Sequence, residues 1–374
     1  MTILIAPDKF KGTLTAKQVA KAIQKGIKSS FPAAKFLLHP LADGGDGSLD
    51  ILTHHLPLTQ IERTVPDPLG RPRRAAYAYH GSQAFIELAR ASGIIHLPKE
   101  VRNPLQTHIL GTGALIADAL DRGLRHIYLF LGGSCTNEAG MGIAHFLGYR
   151  FLDREGKVLA PIGGNLSAVD RIDDRQLRSL EGVHFYLLCD VQNPMYGPRG
   201  AAYTYGPQKG AQAEQVEILD RGLRHFAQKI SDYNGRQVGE VPGGGAAGAI
   251  SAGLLGLLPA ELRRGFATIA EITQLAQQLP RADWVISGEG RLDASSLQGK
   301  VVQGVADYCR AAQKPMIALV GSNQLSPEQL RAQGIRAAYS VLDRARELED
   351  ALRHGASYLE AMAADWAERE LRRS

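Results

Sequence analysis

The chain has 374 residues, 44% of them hydrophobic and 22% charged, with 43 Lys and Arg against 38 Asp and Glu for a formal charge of +5. That is the composition of a globular protein with a large buried core, and the length predicts two or three domains. The small positive balance suits anionic small molecules and lacks the basic stripe of a nucleic-acid binder.

In chain order, MTILIAPDKF opens with an apolar run before Pro7 that is too short for a signal peptide. TILIA (Thr2–Ala6) reads as a strand, followed by a helix over Thr15–Ser29 with Thr15 as N-cap, then a strand within Ala34–Leu41. Ile61–Leu88 reads as extended pieces joined by Pro-Asp-Pro-Leu-Gly and His-Gly-Ser turns, a β-meander that would mark a domain crossing. Helix patterns follow at Gly113–Arg122, Ala139–Leu147, Glu214–Tyr233, Leu262–Gln278, Lys300–Ala312 and Glu347–Arg372, the last just after Asp343 and Arg344. Between them lie the strand candidates His126–Leu131, His184–Asp190, Asp283–Ser287, Pro315–Gly321 and Ala337–Val341. Continuous apolar runs bounded by Gly or charge predict strands buried on both faces, as in parallel sheets, and the alternation with helices predicts α/β layers. GGGAAGAISAGLLGLL, between Pro242 and Pro259, is shorter than the roughly 20 residues of a membrane span and is mostly Gly and Ala. It reads as a packed helix or a loop against a ligand. The basic ending RELRRS reads as a solvated helix end. Cys135, Cys189 and Cys309 form no CxxC pair, which argues against a disulfide framework or a structural zinc and predicts a cytoplasmic setting.

Polar, glycine-rich clusters follow strand after strand, where open α/β sheets bind ligands. PDKFKGTLT puts Lys9 and Lys11 near a helix start, where both can meet an anion. GGSCTNEAG offers Gly132, Gly133, Ser134, Thr136 and Asn137 ahead of a helix, a pattern suited to phosphate or an oxyanion. Lys209 lies between glycines in GPQKGA. In GEGRLD, Glu289, Arg291 and Asp293 alternate, so a bent loop can aim two acids and a base at one place, and Gly299-Lys300 then opens a helix. HPLADGGDGSLD fails as a calcium loop. Counting from Asp43, Gly45, Gly47 and His54 occupy the third, fifth and twelfth positions, where oxygen ligands are needed. Asp43 and Asp46 are left as carboxylates for a hydrated magnesium ion or substrate hydroxyls. There is no P-loop, protein-kinase triplet, nucleophile elbow or His-Glu-x-x-His, and GGGAAG follows no good strand, so it is a poor dinucleotide fingerprint.

Nine segments stand in order: APDKFKGTLTA, PLADGGDGS, ELARASG, GTGALI, GGSCTNEAGMG, DVQNPMYGPRGA, YGPQKGA, PGGGAAG and ISGEGRLDASSLQGK. Together they resemble the bacterial, type I glycerate kinase family over essentially the whole chain. The resemblance implies ATP-dependent, in-line phosphorylation of D-glycerate to 2-phospho-D-glycerate, with Mg2+ as companion ion. It also implies two α/β domains with a cleft between them. One is Rossmann-like and contains both termini, residues 1–65 plus 295–374. The other is an inserted flavodoxin-like domain, residues 66–294.

Phosphoryl transfer asks for positioning and charge neutralisation. Lys9 and Lys11 are the candidates for phosphate neutralisation, with Asp190 as base or orienter for the glycerate hydroxyl. The Gly132–Asn137 turn with Lys209 is the phosphate cradle. Arg90 and Arg291 are the candidates for the carboxylate. Asp43 and Asp46 are placed with the substrate and also compete with Glu289 and Asp293 for the metal. The expected partners are D-glycerate and ATP, with no nucleic acid or membrane, and homo-oligomerisation is left open. Two other readings are a kinase of another small hydroxy or sugar acid, and a non-enzymatic regulator that binds a phosphorylated metabolite.

Overall fold

The computed structural model describes residues 1–294, 296 and 300–371. Gly299 of the Gly299-Lys300 pair and the end of RELRRS from Arg372 therefore lie outside the described residues. The two larger sheets use strands β1 (Thr2–Ile5), β2 (Lys35–Leu38), β3 (Thr59–Pro66), β4 (Pro72–His80), β5 (Gln83–Glu87), β6 (His126–Phe130), β7 (His184–Leu188), β8 (Ala260–Arg263), β9 (Trp284–Ser287), β10 (Met316–Val320) and β11 (Ala338–Ser340). The α/β class expected from the sequence is observed.

The chain forms two compact units, residues 1–43 with 265–374, and residues 44–264. Pairing explains why these limits differ from the expected 1–65/295–374 and 66–294. β3 pairs along its length with β4, so residues from 59 onward belong to the second unit. β9 pairs with β1, so it belongs to the first.

Among the described residues, the first unit carries a five-stranded parallel sheet in the order β11-β10-β9-β1-β2. β9 and β10 are buried at every position, which their unbroken apolar runs require. The helix Ala16–Ser30 starts as expected. Thr15 Oγ1 accepts the Gln18 N–H, and Gln18 Oε1 accepts the Thr15 N–H, closing a capping box. Its buried face of Val19, Ile23 and Ile27 shares a core with Leu359, Met362 and Trp366 of the C-terminal helix Leu348–Glu370. Truncating Ile23 to Ala there would cost about 2–5 kcal/mol.

The second unit carries a six-stranded sheet, β8-β7-β6-β5-β4-β3. β3, β4 and β5 form the antiparallel meander read from Ile61–Leu88, and β5 to β8 run parallel. Tyr77, fully buried on β4, donates to Asp118 on the helix Leu110–Asp121 at 2.7 Å. The expected helix Leu262–Gln278 starts only at Gly265, because Ala260–Arg263 pairs with β7 instead. GGGAAGAISAGLLGLL provides the packed helix Ala246–Leu257, and no described helix is long and apolar enough to cross a membrane.

Candidate active site

In the first unit the chain passes from β1 outward to β2 on one side, and then through β9, β10 and β11 on the other. The strand order thus reverses between β1 and β9, the topological position at which open α/β sheets bind ligands. Asp8 follows β1 there, and its N–H donates to Gly288 O at 2.7 Å, just before Glu289. A cavity of about 390 Å³ opens at these strand ends, and Lys9, Lys11, Asp43, Glu289 and Arg291 all line it, together with Asp8 and Lys300. Burial, and next the charge of Asp43, push the Asp8 carboxyl well above its ordinary range, against the pull of the Lys9 N–H bonded to Oδ1 at 2.7 Å. Burial likewise pushes Glu289 up to about 7, with the Ser296 hydroxyl and Lys300 opposing it and Asp293 and Asp43 adding to it. Oε1 of Glu289 is buried without a hydrogen-bond partner. Arg291 pairs with Asp293 at 2.8 Å and donates to Gln324 Oε1 at 3.1 Å. Asp8 was missed in the sequence although it stands inside the PDKFKG motif; its burial, which makes it costly to ionise, has no local sequence signal.

In the second unit, Glu87, Phe130, Leu188 and Arg263 align across the parallel strands, so β5 to β8 end on one line. Just past it come Arg90, the Gly132–Asn137 turn and Asp190. The Arg90 guanidinium is engaged by Glu87 at 2.8 Å and Asp50 at 2.7 Å, and Glu87 also accepts the Leu49 N–H at 2.8 Å. This ties Arg90 to the helix Ser48–His55 that follows the DGGDGS loop. The loop's backbone lies against the Gly132 turn: a Cβ on Gly132 would sit 3.0 Å from Asp46 N and Gly45 Cα. Asp43 and Asp46, read as a pair from the sequence, are divided by the fold. Asp43 lines the first unit's cavity, while Asp46 is exposed in the second unit.

Lys209 is only 2% exposed. Its Nζ donates to Ser134 Oγ at 2.9 Å and Thr136 O at 2.7 Å, so it braces the turn from within. Burial pushes the Lys209 ammonium down. Burial also pushes Glu138 up, opposed by the N–H groups of Gly142 and Gly140, which donate to it at 2.6 and 2.9 Å, and by the charge of Lys209. Glu138 lies in the quoted GGSCTNEAG segment, yet its bracing role was not legible there. Around this buried pair, Thr136 Oγ1 and both amide atoms of Asn137 are buried without partners. Each such group costs about 1–3 kcal/mol when left unpaired. Gly248, at φ +79°, packs on the turn so closely that a Cβ would lie 2.0 Å from Thr136 O. Ala139, Ala247 and Ala249 around it also have left-handed backbones, the kind of strain that collects at ligand sites. Asp190 is half-buried, and burial together with its charge pushes the neighbouring Cys189 thiol up to about 11.

The candidates thus gather in two groups. Lys9, Lys11, Asp43, Glu289, Arg291 and Asp293 belong to the first unit, and Asp46, Arg90, Gly132, Gly133, Ser134, Thr136, Asn137, Asp190 and Lys209 to the second.

Comparison with known proteins bears on the same residues. The model of the Glycerate kinase family matches residues 3–369. A glycerate kinase of Halalkalibacterium halodurans is 41% identical over 369 residues, covering 98% of this chain and 97% of that protein. The glycerate 2-kinase of Escherichia coli K12 is 38% identical over 356 residues, covering 94% and 93%. A crystal structure from Salmonella typhimurium LT2, assigned to glycerate kinase 2, superposes with a TM-score of 0.87 at 37% identity, covering all of this chain and 98% of that one.

Proposed function

The chain belongs to the glycerate kinase family, and we propose that it transfers the γ-phosphoryl group of ATP to the 2-hydroxyl of D-glycerate, giving ADP and 2-phospho-D-glycerate. The observation that carries this reading is the Ser134–Asn137 turn. Three buried polar atoms without partners stand beside a buried lysine at the carboxyl edge of a parallel sheet, a place built to receive anionic oxygens.

In this reading the glycerate hydroxyl oxygen attacks the γ-phosphorus in line, the bond to the β,γ-bridging oxygen breaks, and the hydroxyl proton passes to Asp190. Lys9 and Lys11 neutralise phosphate charge. Ser134, Thr136 and Asn137, held by Lys209, cradle an anionic group. Arg90 keeps the DGGDGS loop and the strand ends in register through Glu87 and Asp50. Transfer of this kind rests on positioning and electrostatics more than on covalent chemistry.

Mg2+ is the expected companion of ATP. Among the described residues, no group of three or more His, Cys, Asp or Glu could hold a metal ion alone. The oxygen donors of Asp8, Asp43 and Glu289, one of them orphaned, fit an ion held mainly by phosphates with one or two carboxylates. When bound, Mg2+ offsets the negative charge of the β- and γ-phosphates.

The test is ADP release by the purified protein with ATP, Mg2+ and a panel of small hydroxy acids, with phosphorus NMR of the product. D-glycerate is expected to be the best acceptor and 2-phosphoglycerate the product. A 3-phospho product would overturn the regiochemistry, and a better acceptor would move the chain to a related acid.

A further inference from the structure

The cavity of the first unit is lined in two contrasting ways. Part of its lining is charged, with Asp8, Lys9, Lys11, Glu289 and Lys300. Its apolar part joins Phe10, Val341 and Leu342 to one face of a helix. Leu348, Ala351, Leu352 and Gly355 stand at i, i+3, i+4 and i+7 of the C-terminal helix and all line the cavity. Leu348 is 63% and Leu352 52% exposed, and Leu342 beside them is 39% exposed. Single exposed leucines are ordinary, but three around one cavity make a patch that asks for a ligand. The helix departs from helical geometry at His354, and beyond that point its apolar residues Leu359, Met362 and Trp366 are buried in the core. Ala351 packs against that core, whereas Leu348 and Leu352, in the first turns, are exposed and line the cavity.

A ligand that satisfies both parts has an apolar ring body and a polyanionic tail. Glycerate has no apolar body and would leave the leucines wet. A simple anion would gain nothing from them. The carboxylates of Asp8 and Glu289 beside three lysines suit a polyphosphate carrying a cation better than a single negative charge. The volume, about 390 Å³, falls within the roughly 300–1,000 Å³ of small-molecule sites.

We propose that this cavity holds the purine base and ribose of the nucleotide against Leu342, Leu348 and Leu352, with the phosphates toward Lys9, Lys11 and Lys300. This rests on the kinase reading and deepens it, because the sequence motifs assign only phosphate contacts and no place for the base.

The experiment compares wild type with a Leu348→Ser/Leu352→Ser double variant. Both side chains are exposed, so the fold is expected to survive, as an unchanged melting temperature without ligand would show. ADP binding is titrated calorimetrically, and KM is measured for ATP and for D-glycerate. The expected result is an ADP Kd and a KM for ATP raised about tenfold or more, with KM for D-glycerate unchanged. Ala351→Trp, which fills the cavity while keeping it apolar, is expected to weaken ADP as well. Val158→Ser, removing an exposed apolar residue of the other unit, is expected to change nothing. Wild-type ADP affinity in both cavity variants would overturn the assignment. Absence of ADP binding and of ADP release in the wild type would overturn the kinase reading itself, before any variant is made.

Discussion

The two sets of strand ends solve the same problem with opposite materials. In the first unit the polar groups line an open cavity, where burial first and then the charges of Asp43 and Glu289 push Asp8 up, and burial first and then the charges of Asp293 and Asp43 push Glu289 up. In the second, the turn is buried, braced by Lys209 and pinned by Gly248. An open edge of mixed carboxyls and lysines is directly accessible to a ligand. A buried, braced edge is preorganised before any ligand arrives. Substitutions in the first unit's cavity should therefore act on binding and leave the fold alone, whereas those in the second unit's turn should cost stability too.

Asp190 tests this contrast with the largest effect. It lies at the preorganised edge but is half-buried and outside the braced turn. Asp190→Asn is expected to lower kcat by at least about a hundredfold, the lower range for removal of a general base. The circular-dichroism spectrum and melting temperature should stay near wild type. Near-normal turnover would remove Asp190 from the base role.

Lys209→Met comes next. It leaves Ser134 Oγ and Thr136 O without their donor and Glu138 without its nearby cation. Breaking a buried charged arrangement from one side costs about 3–5 kcal/mol. Urea unfolding is expected to show a loss of that order together with a fall in activity. A variant as stable as wild type would mean that the turn is held by its glycine contacts alone, and the contrast between the two edges would be gone.

How much of this was legible follows the range of the signals. β9 and β10 are unbroken apolar runs, so burial on both faces could be read from them directly. The strand Ala260–Arg263 could not, because AELR has no run of its own and becomes a strand only by pairing with β7. The site motifs were visible as punctuation after strands, and the family resemblance ordered them. Burial was not visible. GPQKGA looks like an exposed turn, yet Lys209 reaches across some seventy residues of sequence to Ser134 and is sealed in. Asp43 and Asp46 stand three apart, and only the fold assigns them to different units. Arg90 illustrates the middle case: its pairing with Glu87 was readable from helix spacing, but that with Asp50 was not.

Lys9→Ala probes the open edge. Lys9 lines the cavity, and its backbone N–H donates to Asp8 Oδ1 at 2.7 Å, a bond that the substitution keeps. The expected result is a KM for ATP raised about tenfold, on the order of one charge-assisted contact, with no change in melting temperature. A stability loss like that of Lys209→Met would show that the first edge is braced as well.

The smallest effect belongs to a residue outside both edges, and it calibrates what an ordinary buried carboxylate is worth in this fold. Asp67 sits in the Pro-Asp-Pro-Leu-Gly turn between β3 and β4 and accepts the N–H groups of Leu69 and Arg71 at 2.9 Å and the Arg71 guanidinium at 2.7 Å. Burial pushes its carboxyl up, but these bonds outweigh burial and hold it below the ordinary 3.8. A carboxylate with a depressed folded pKa contributes stability that is present above its unfolded value and is lost as pH falls through the folded one. Asp67→Asn is therefore expected to cost about 1 kcal/mol at pH 7, since much of the pair is solvent-screened. The gap between variant and wild type should narrow as pH drops below the unfolded value of 3.8. Urea midpoints across that range would check it. A gap that stays constant with pH would mean that the Asn loses turn geometry and not charge.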